Sequence, residues 1–357
     1  MTKALALAER GRGRTSPNPM VGALVVDADG VIVGRGAHEV AGGPHAEVHA
    51  LADAGDRAAG ATLYCTLEPC VHVGRTGPCA PRVAQAGIAR VVVACEDPNP
   101  VAHGGNQFLR QRGVQVTAGV LAKQAARQNA PFFTRISRGR PFITMKIALS
   151  RDGMVAAGPG VRTALTGAAA SRFVHRERAE VDAIAVGSGT VLADDPQLTP
   201  RVAFRLRPLT RVIYDSRLRT PPDARLFSTL SAGPVIMMST PDAIAAHPRR
   251  VAALQRAGAS IEVAAPGSAG ALEGSMTLLG AAGVCTVIVE GGPALHRAFW
   301  DADLVDRVQI IVAPRTIGAN GLRWLGEPVT KSARIAWQPP RPLGDDVLLE
   351  GYVHRLD

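Results

Sequence analysis

One imidazole, two thiols and a carboxylate stand in the first hundred residues at a spacing that suits metal-assisted hydrolysis. Pro44-His45-Ala46-Glu47 opens a segment of helical composition, Glu68-Pro69-Cys70 follows a β-rich run, and Cys79 lies nine residues beyond Cys70. His45, Cys70 and Cys79 offer the nitrogen and sulfur donors that Zn²⁺ accepts in tetrahedral geometry, and three protein ligands leave a fourth position for water. Zinc held there lowers the pKa of that water towards about 7. Glu47 is not needed as a ligand. Two residues from the imidazole, its carboxyl is placed to carry protons between water, a ring nitrogen and departing ammonia. His45 and Cys70 are both expected where helices begin, so a helix dipole should favour thiolate at Cys70. Cys65, Cys95 and Cys285 read as buried packing residues.

The second half carries a different chemistry. No Gly-x-Gly-x-x-Gly follows its first strand, which argues against a Rossmann dinucleotide site. Instead, Val284–Val289 runs into Glu290-Gly291-Gly292-Pro293 and a helix-like segment, Ala294–Phe299. A strand, two glycines and a helix N-terminus make a suitable phosphate cradle, because bare backbone N–H groups can approach oxyanions.

The elements that must hold these residues alternate. Ala23–Val26 and Val31–Gly34 predict a hairpin about Asp-Ala-Asp-Gly. His45–Ala54, Pro78–Ala86, Phe108–Arg112 and Leu121–Gln128 predict helices; Ala61–Leu67, Ala89–Ala94 and Val114–Ala118 predict strands. Residues 129–141, basic and free of acids, read as a break, placing a domain boundary near residue 140. A second alternation follows. Its strands are Phe142–Ala148, Ala183–Val186, Arg211–Tyr214, Val235–Met238, Val284–Val289, Arg307–Val312 and Val347–His354, with helices at Ala168–Val181 and Arg249–Ala257. The expected class is α/β in two domains, 1–140 and 141–357.

Longer motifs carry a resemblance. TSPNPMVGALVV (15–26), the glycine- and histidine-bearing stretch 34–47, TLEPCVHVGRTGPC (66–79) and EDPNP (96–100) resemble the deaminase domain of the bifunctional riboflavin-biosynthesis deaminase/reductase family. The C-x8-C spacing fits that family rather than the shorter P-C-x-x-C of zinc nucleobase deaminases at large. PFITMKIALSRDG (141–153), residues 175–201, VIVEGGPALH (287–296) and IIVAPRTIG (310–318) resemble the reductase domain of the same family. The resemblance implies a cytidine-deaminase-like α/β/α domain followed by a dihydrofolate-reductase-like α/β domain. It implies zinc-dependent deamination of 2,5-diamino-6-(5-phosphoribosylamino)pyrimidin-4-one, then NADPH-dependent reduction of the ribosyl side chain to ribityl. His45, Cys70 and Cys79 match its zinc ligands and Glu47 its proton shuttle. Ala148, Thr190, Asp194, Ser216, Gly292, Pro293, Ala294, Leu295, His296, Arg297 and Ala298 match NADP-binding positions. Arg178, Leu198, Arg201 and Glu290 match substrate positions, with Arg178 and Arg201 as guanidinium forks for phosphate. Asn18, between two prolines, has an amide that could read a heterocycle edge or serve a turn. His38 and His72 stand as ring or phosphate contacts against ordinary loop histidines, and Lys146 as a buried cation near the site against a snorkelling lysine. Between 162 and 166 the chain departs from the family: Arg162 replaces serine and Ala164-Leu165-Thr166 replaces Trp-Ile-Thr. Arg162 is kept as a substrate candidate, and a nucleotide-binding second domain without turnover is the alternative.

Composition bounds these readings. Of the 357 residues 40 are basic and 30 acidic; only four of the basic ones are lysine. The net charge of +10 invites a nucleic-acid reading. It divides into +6 over residues 1–140 (16 basic, 10 acidic) and +4 over 141–357 (24 and 20), without the basic tail or stripe of a nucleic-acid arm. An aromatic content of 4% offers few bases a stacking partner. The expected partner is therefore a phosphorylated pyrimidine and not a nucleic acid, and most arginines are expected to be solvated charges. No apolar run approaches the roughly 18 residues of a membrane span, and five cysteines suit a reduced cytoplasmic setting. A homo-oligomer, dimer or tetramer, is expected.

Overall fold

Asp27 begins the first hairpin by accepting the backbone N–H groups of Asp29 and Val31 on Oδ1, at 3.1 and 2.8 Å. Gly30 completes the turn at φ +81°, which glycine reaches without strain. Strands β1 (Gly22–Val26) and β2 (Ile32–Ala37) then pair antiparallel. In this computed structural model, which describes residues 1–73, 77–263 and 269–354, internal contacts divide the chain into one unit, Met1–Arg138, and a second beginning at Gly139.

The first unit is built on a five-stranded sheet. Its order is β2-β1-β3-β4-β5, with β3 at Thr62–Leu67, β4 at Arg90–Cys95 and β5 at Gln115–Ala118. The β3–β4 and β4–β5 pairs are parallel. Helices α1 (Thr2–Ala8) and α2 (Ala46–Ala54) lie on opposite faces, and the register shows why. A Cβ on Gly36 would come within 2.0 Å of Ala46 O in α2, and one on Gly22 within 2.0 Å of Ala4 O in α1. Gly22 pairs with Ala37, the neighbour of Gly36, and successive strand residues face opposite ways. Glycine at both places lets a helix backbone lie directly on the strand. Helices α3 (Cys79–Gln85), α4 (Gly105–Arg110) and α5 (Ala122–Gln128) complete the alternation.

Residues 129–141, expected as a break, hold helix α6 (Ala130–Arg138). Pro131 is tolerated in the first turn, where its missing N–H has no helical partner to lose. Phe132 and Thr134 are buried, and Asn129 exchanges hydrogen bonds with the backbone of Met20 at 2.7 and 2.8 Å. Of the three basic residues in the stretch, Arg138 is exposed on the helix, Arg135 is half-buried and Arg140 is buried just beyond it.

The second unit contains a ten-stranded sheet. Its strands include β6 (Phe142–Leu149), β8 (Ala183–Gly187), β9 (Thr210–Tyr214), β10 (Val235–Ser239), β11 (Ala259–Val263), β12 (Thr286–Val289) and β13 (Arg307–Val312); the short β7 (Met154–Ala156) pairs elsewhere. The order β11-β10-β9-β8-β12-β6-β13 is parallel throughout, and the closing strand Asp346–Tyr352 adds antiparallel to β13. Its helices are α7 (Ala168–Glu180), α8 (Ser188–Asp194), α9 (Pro241–Ala246), α10 (Pro248–Arg256), α11 (Ala269–Ala281) and α12 (Pro293–Asp301). Ala170 and Phe173 pack α7 onto Ile311 and Leu348, and Glu177 fixes it to Arg307 of β13 at 2.8 Å.

Several arginines expected to be solvated are instead buried or half-buried staples. Arg211, fully buried, donates to Leu226 O and Thr229 Oγ1 at 2.8 and 2.7 Å and also reaches Gly233 O. Arg205 donates to three carbonyls at the end of α7, of Arg178, Ala179 and Val181. Arg140 grips Asp306 bidentately at 2.6 and 2.9 Å. A planar fork with five donors serves several carbonyls at once, which an ammonium cannot.

Candidate active sites

His45 is the N-cap of α2, held extended at φ −73° and ψ 161°, so the close seat of α2 on β2 sets its position. Cys70 lies in the loop after β3, not at a helix start. The helix begins instead at Cys79, so the dipole expected at Cys70 acts on Cys79. The backbone N–H groups of Cys79 and Ala80 both donate to Cys70 O, at 3.1 and 3.0 Å. They hold the start of α3 against Cys70, so that the two sulfurs lie close together. Residues 74–76 of that loop lie outside the described residues.

His45 Nδ1 lies 3.2 Å from Cys79 Sγ and 3.6 Å from Cys70 Sγ, and the three donor atoms all fall within 4.8 Å of one another. One nitrogen and two sulfurs so spaced fit a zinc ion. The thiol of Cys70 is held down to about 4, first by the hydrogen bond from Cys79 and then by His45, while the same bond pushes Cys79 up. Glu47, 4% exposed, is lifted to about 7 by burial.

His45, Glu47 and Cys70 line a cavity of about 370 Å³ together with Asn18, His38 and His72. His38 Nδ1 donates to Pro44 O at 3.0 Å, so its Nε2 accepts from Asn18 Nδ2 at 3.2 Å. That pair sets both the imidazole tautomer and the amide orientation, turning Asn18 Oδ1 away from His38. His72 Nδ1 is buried without a hydrogen-bond partner among the described residues. Glu68, Asp97 and Asn99 also border the cavity, and no role was assigned to them from sequence. Glu68 is a buried anchor: it accepts the backbone N–H of Asp97 at 3.1 Å and of Asn106 at 2.8 Å, and meets His103 Nδ1 at 2.9 Å. Burial lifts Asp97 to about 6. The acidic residues of the EPC and EDPNP motifs were the available signal. Cys65 and Cys95 are buried in the core of the first unit, and Cys285 is buried in the second.

A second cavity, of about 690 Å³, lies within the second unit. It brings together Ala148, Thr190, Asp194 and Gly292–Leu295 with Arg162, Arg178, Leu198, Arg201 and Glu290. Added Cβ atoms at Gly187, Gly189 and Gly292 would meet nothing within 4 Å, so their bare backbone faces open space beside the start of α12. A phosphate-bearing nucleotide fits such a cradle.

Four of the expected residues lie outside the lining of this cavity, and one that lines it is already paired. Ser216 lies exposed beyond β9 and outside the cavity lining. His296, Arg297 and Ala298 also lie outside it, because each helical residue turns about 100° from the last. The first turn of α12 faces the cavity, His296 turns into the core, and Arg297 and Ala298 face solvent. His296 donates from Nε2 to Val289 O at 3.2 Å and accepts from Trp324 Nε1 at 3.0 Å; burial depresses it to about 4, keeping it neutral. The Arg178 fork, expected on a phosphate, is closed on Glu290: Nε and Nη2 donate to its two oxygens at 2.9 and 2.7 Å. Lys146 Nζ stands 3.6 Å from the same carboxylate, so Lys146 is a buried cation and not a snorkelling one. Burial alone would raise Glu290, but Arg178 and Lys146 outweigh it and hold the carboxyl at about 2. Arg201 lies against His175, its backbone N–H donating to Nδ1 at 3.3 Å and its Nη2 3.2 Å from Nε2.

Comparison with known proteins agrees with this pairing of sites. Residues 1–95 match the cytidine and deoxycytidylate deaminase zinc-binding region, and residues 141–348 match the RibD C-terminal domain. Fold and sites together define a two-domain α/β enzyme, a cytidine-deaminase-like domain followed by a reductase domain. The chain is 37% identical to the riboflavin biosynthesis protein RibD of Aquifex aeolicus, over 98% of this chain and 96% of that one. It is 39% identical to that of Escherichia coli over 98% and 97%. The solved Acinetobacter baumannii RibD superposes with a TM-score of 0.87 at 34% identity, covering 99% of this chain and 97% of that one. A Thermotoga maritima structure, described as a diaminohydroxyphosphoribosylaminopyrimidine deaminase/5-amino-6-(5-phosphoribosylamino)uracil reductase, gives 0.84 at 32%, again over 99% and 97%. The chain belongs to the RibD family: it is a deaminase and a reductase of riboflavin biosynthesis. A second domain without turnover is not favoured, since the match to the reductase family spans the altered 162–166 segment. No helix among the described residues is long and apolar enough to cross a membrane.

Proposed function

We propose that residues 1–140 hydrolyse the 2-amino group of 2,5-diamino-6-(5-phosphoribosylamino)pyrimidin-4-one and that residues 141–357 reduce the product with NADPH to 5-amino-6-(5-phosphoribitylamino)uracil. The observation that carries the first half is the convergence of His45, Cys70 and Cys79 beside the buried carboxyl of Glu47. Zinc bound there supplies the Lewis acid that makes water nucleophilic at neutral pH. Glu47, poised near neutrality by burial, accepts a proton from the attacking water and gives it to the ring nitrogen. It then moves the second proton to the amino group, which leaves C2 as ammonia. Asn18, oriented by His38, offers Oδ1 to an N–H on the heterocycle edge. His72, with its unpartnered Nδ1, is the candidate for the polar substituents of the substrate.

In the second unit NADPH supplies the hydride, which with one proton converts C1′ of the opened sugar to a methylene. Gly292 and the start of α12 hold the cofactor phosphates against backbone N–H groups. Arg178 and Lys146 keep Glu290 ionised at the reacting end, where it accepts hydrogen bonds from the sugar, and His175 turns Arg201 towards the substrate phosphate. The five buried cysteines, which form no disulfide among the described residues, support a reduced, cytoplasmic setting.

Cys79→Ser tests the assignment. The variant should lose bound zinc and ammonia release while still reducing supplied uracil intermediate. Normal zinc content and deamination would remove Cys79 from the ligand set.

A further inference from the structure

The larger cavity has two chemically distinct ends. One is the Lys146–Glu290–Arg178 cluster, on β6, on the residue after β12 and on α7. In the sheet, β8 separates β12 from β9. The other end is reached by Arg225, which opens the short 3-10 segment Arg225–Ala232 in the connection from β9 to β10. A ligand that spans the cavity from Glu290 to Arg225 therefore crosses the backbone cradle at Gly292 and Gly187.

Four arginines line this cavity: Arg162, Arg178, Arg201 and Arg225. Arg178 is closed on Glu290 and Arg201 lies against His175. Arg162 acts on the carboxyl of Asp194, opposing the rise that burial causes there. Arg225 differs from all three. Its backbone N–H donates to Asp195 Oδ1 at 2.8 Å, which fixes the backbone of the residue. Among the described residues its guanidinium has no hydrogen bond or ion pair. A fixed residue with an open fork, at the end of the cavity away from the reacting groups, suits a terminal phosphate monoester.

We propose that Arg225 binds the adenosine 2′-phosphate and so sets a preference for NADPH over NADH. This rests on the reading of the cavity as the NADPH site. NADH presents a neutral hydroxyl at that position, which gains far less from a guanidinium than a phosphate does. Arg225 is thus a specificity residue and takes no part in hydride transfer.

Calorimetric titration of the cofactor-free protein with 2′,5′-ADP and with 5′-ADP isolates the phosphate from the chemistry. Wild type should bind 2′,5′-ADP on the order of 10- to 100-fold more tightly, the range of one charge-assisted contact. Arg225→Ala should abolish that ratio without weakening 5′-ADP, and Arg225→Lys should keep part of it. In steady state, Arg225→Ala should raise KM for NADPH by the same factor and leave kcat and the KM for NADH unmoved. An unchanged ratio in Arg225→Ala overturns the proposal, as does transfer of the whole effect to Arg162→Ala. If wild type oxidises NADPH but does not separate the two fragments, Arg225 loses this role while the reductase reading stands. If wild type binds neither NADPH nor 2′,5′-ADP, the reading of the cavity itself falls.

Discussion

Glu47 concentrates the deaminase argument in one side chain: a buried carboxyl, two residues from the candidate zinc donor His45, with burial raising it to about 7. Glu47→Gln keeps the shape and the metal donors but removes the proton carrier. It should lower kcat for ammonia release on the order of 10²- to 10⁴-fold with zinc content unchanged; an activity within a few-fold of wild type would contradict the shuttle role. This chemistry was legible because the residue types at 45, 47, 70 and 79 suffice to state it. Glu68 was not, because it works through backbone N–H groups 29 and 38 positions away. Arg178 was legible as a cation, but its partner Glu290 stands 112 residues along the chain, and no local pattern announces that the fork is already filled.

At the level of elements, the site depends on how closely α2 approaches β2. Gly36→Val would drive a side chain into Ala46 O and Ala50 N, 2.0 and 2.5 Å from the new Cβ. The helix that carries Glu47 and is capped by His45 must then move. Overpacking of this kind costs about 1–3 kcal/mol, and zinc affinity should fall with stability. Thermal unfolding and metal content measure both; a variant with wild-type values would show that the contact is not needed. Strand and helix alternation was readable from composition, and the predicted hairpin is the observed β1–β2 pair. Two features were hidden. Pro69-Cys70 and Pro78-Cys79 look equally like helix starts, and only the hydrogen bonds of Cys79 and Ala80 to Cys70 O decide between them. The other is the inward face of α12, because a contiguous motif does not say which residues of a helix line the cavity.

For the whole molecule, the arginine excess has become partly structural: Arg140, Arg205 and Arg211 bind carbonyls or a buried carboxylate that lysine could not serve equally well. Buried charge also gives the second unit a direction of pH dependence. Glu290, held at about 2 against an ordinary 4.5, stabilises the fold fully above 4.5 and loses that contribution as pH falls towards 2. His296, depressed to about 4 from 6.5, contributes fully above 6.5 and loses its contribution as pH falls towards 4. Trp300, Trp324 and Trp337 all lie in this unit, so tryptophan emission during urea unfolding reports on it alone. The midpoint should fall progressively from pH 7 to pH 3, and a flat profile would contradict the burial argument. The central claim is that one chain performs two successive reactions. The direct measurement gives purified protein the diaminopyrimidinone ribosyl phosphate with NADPH, and follows ammonia and NADPH together. Ammonia should appear without NADPH, NADPH should be consumed only when deamination can proceed, and the two should approach one-to-one at completion. Ammonia release with no NADPH oxidation, or NADPH oxidation with no ammonia, would contradict the account.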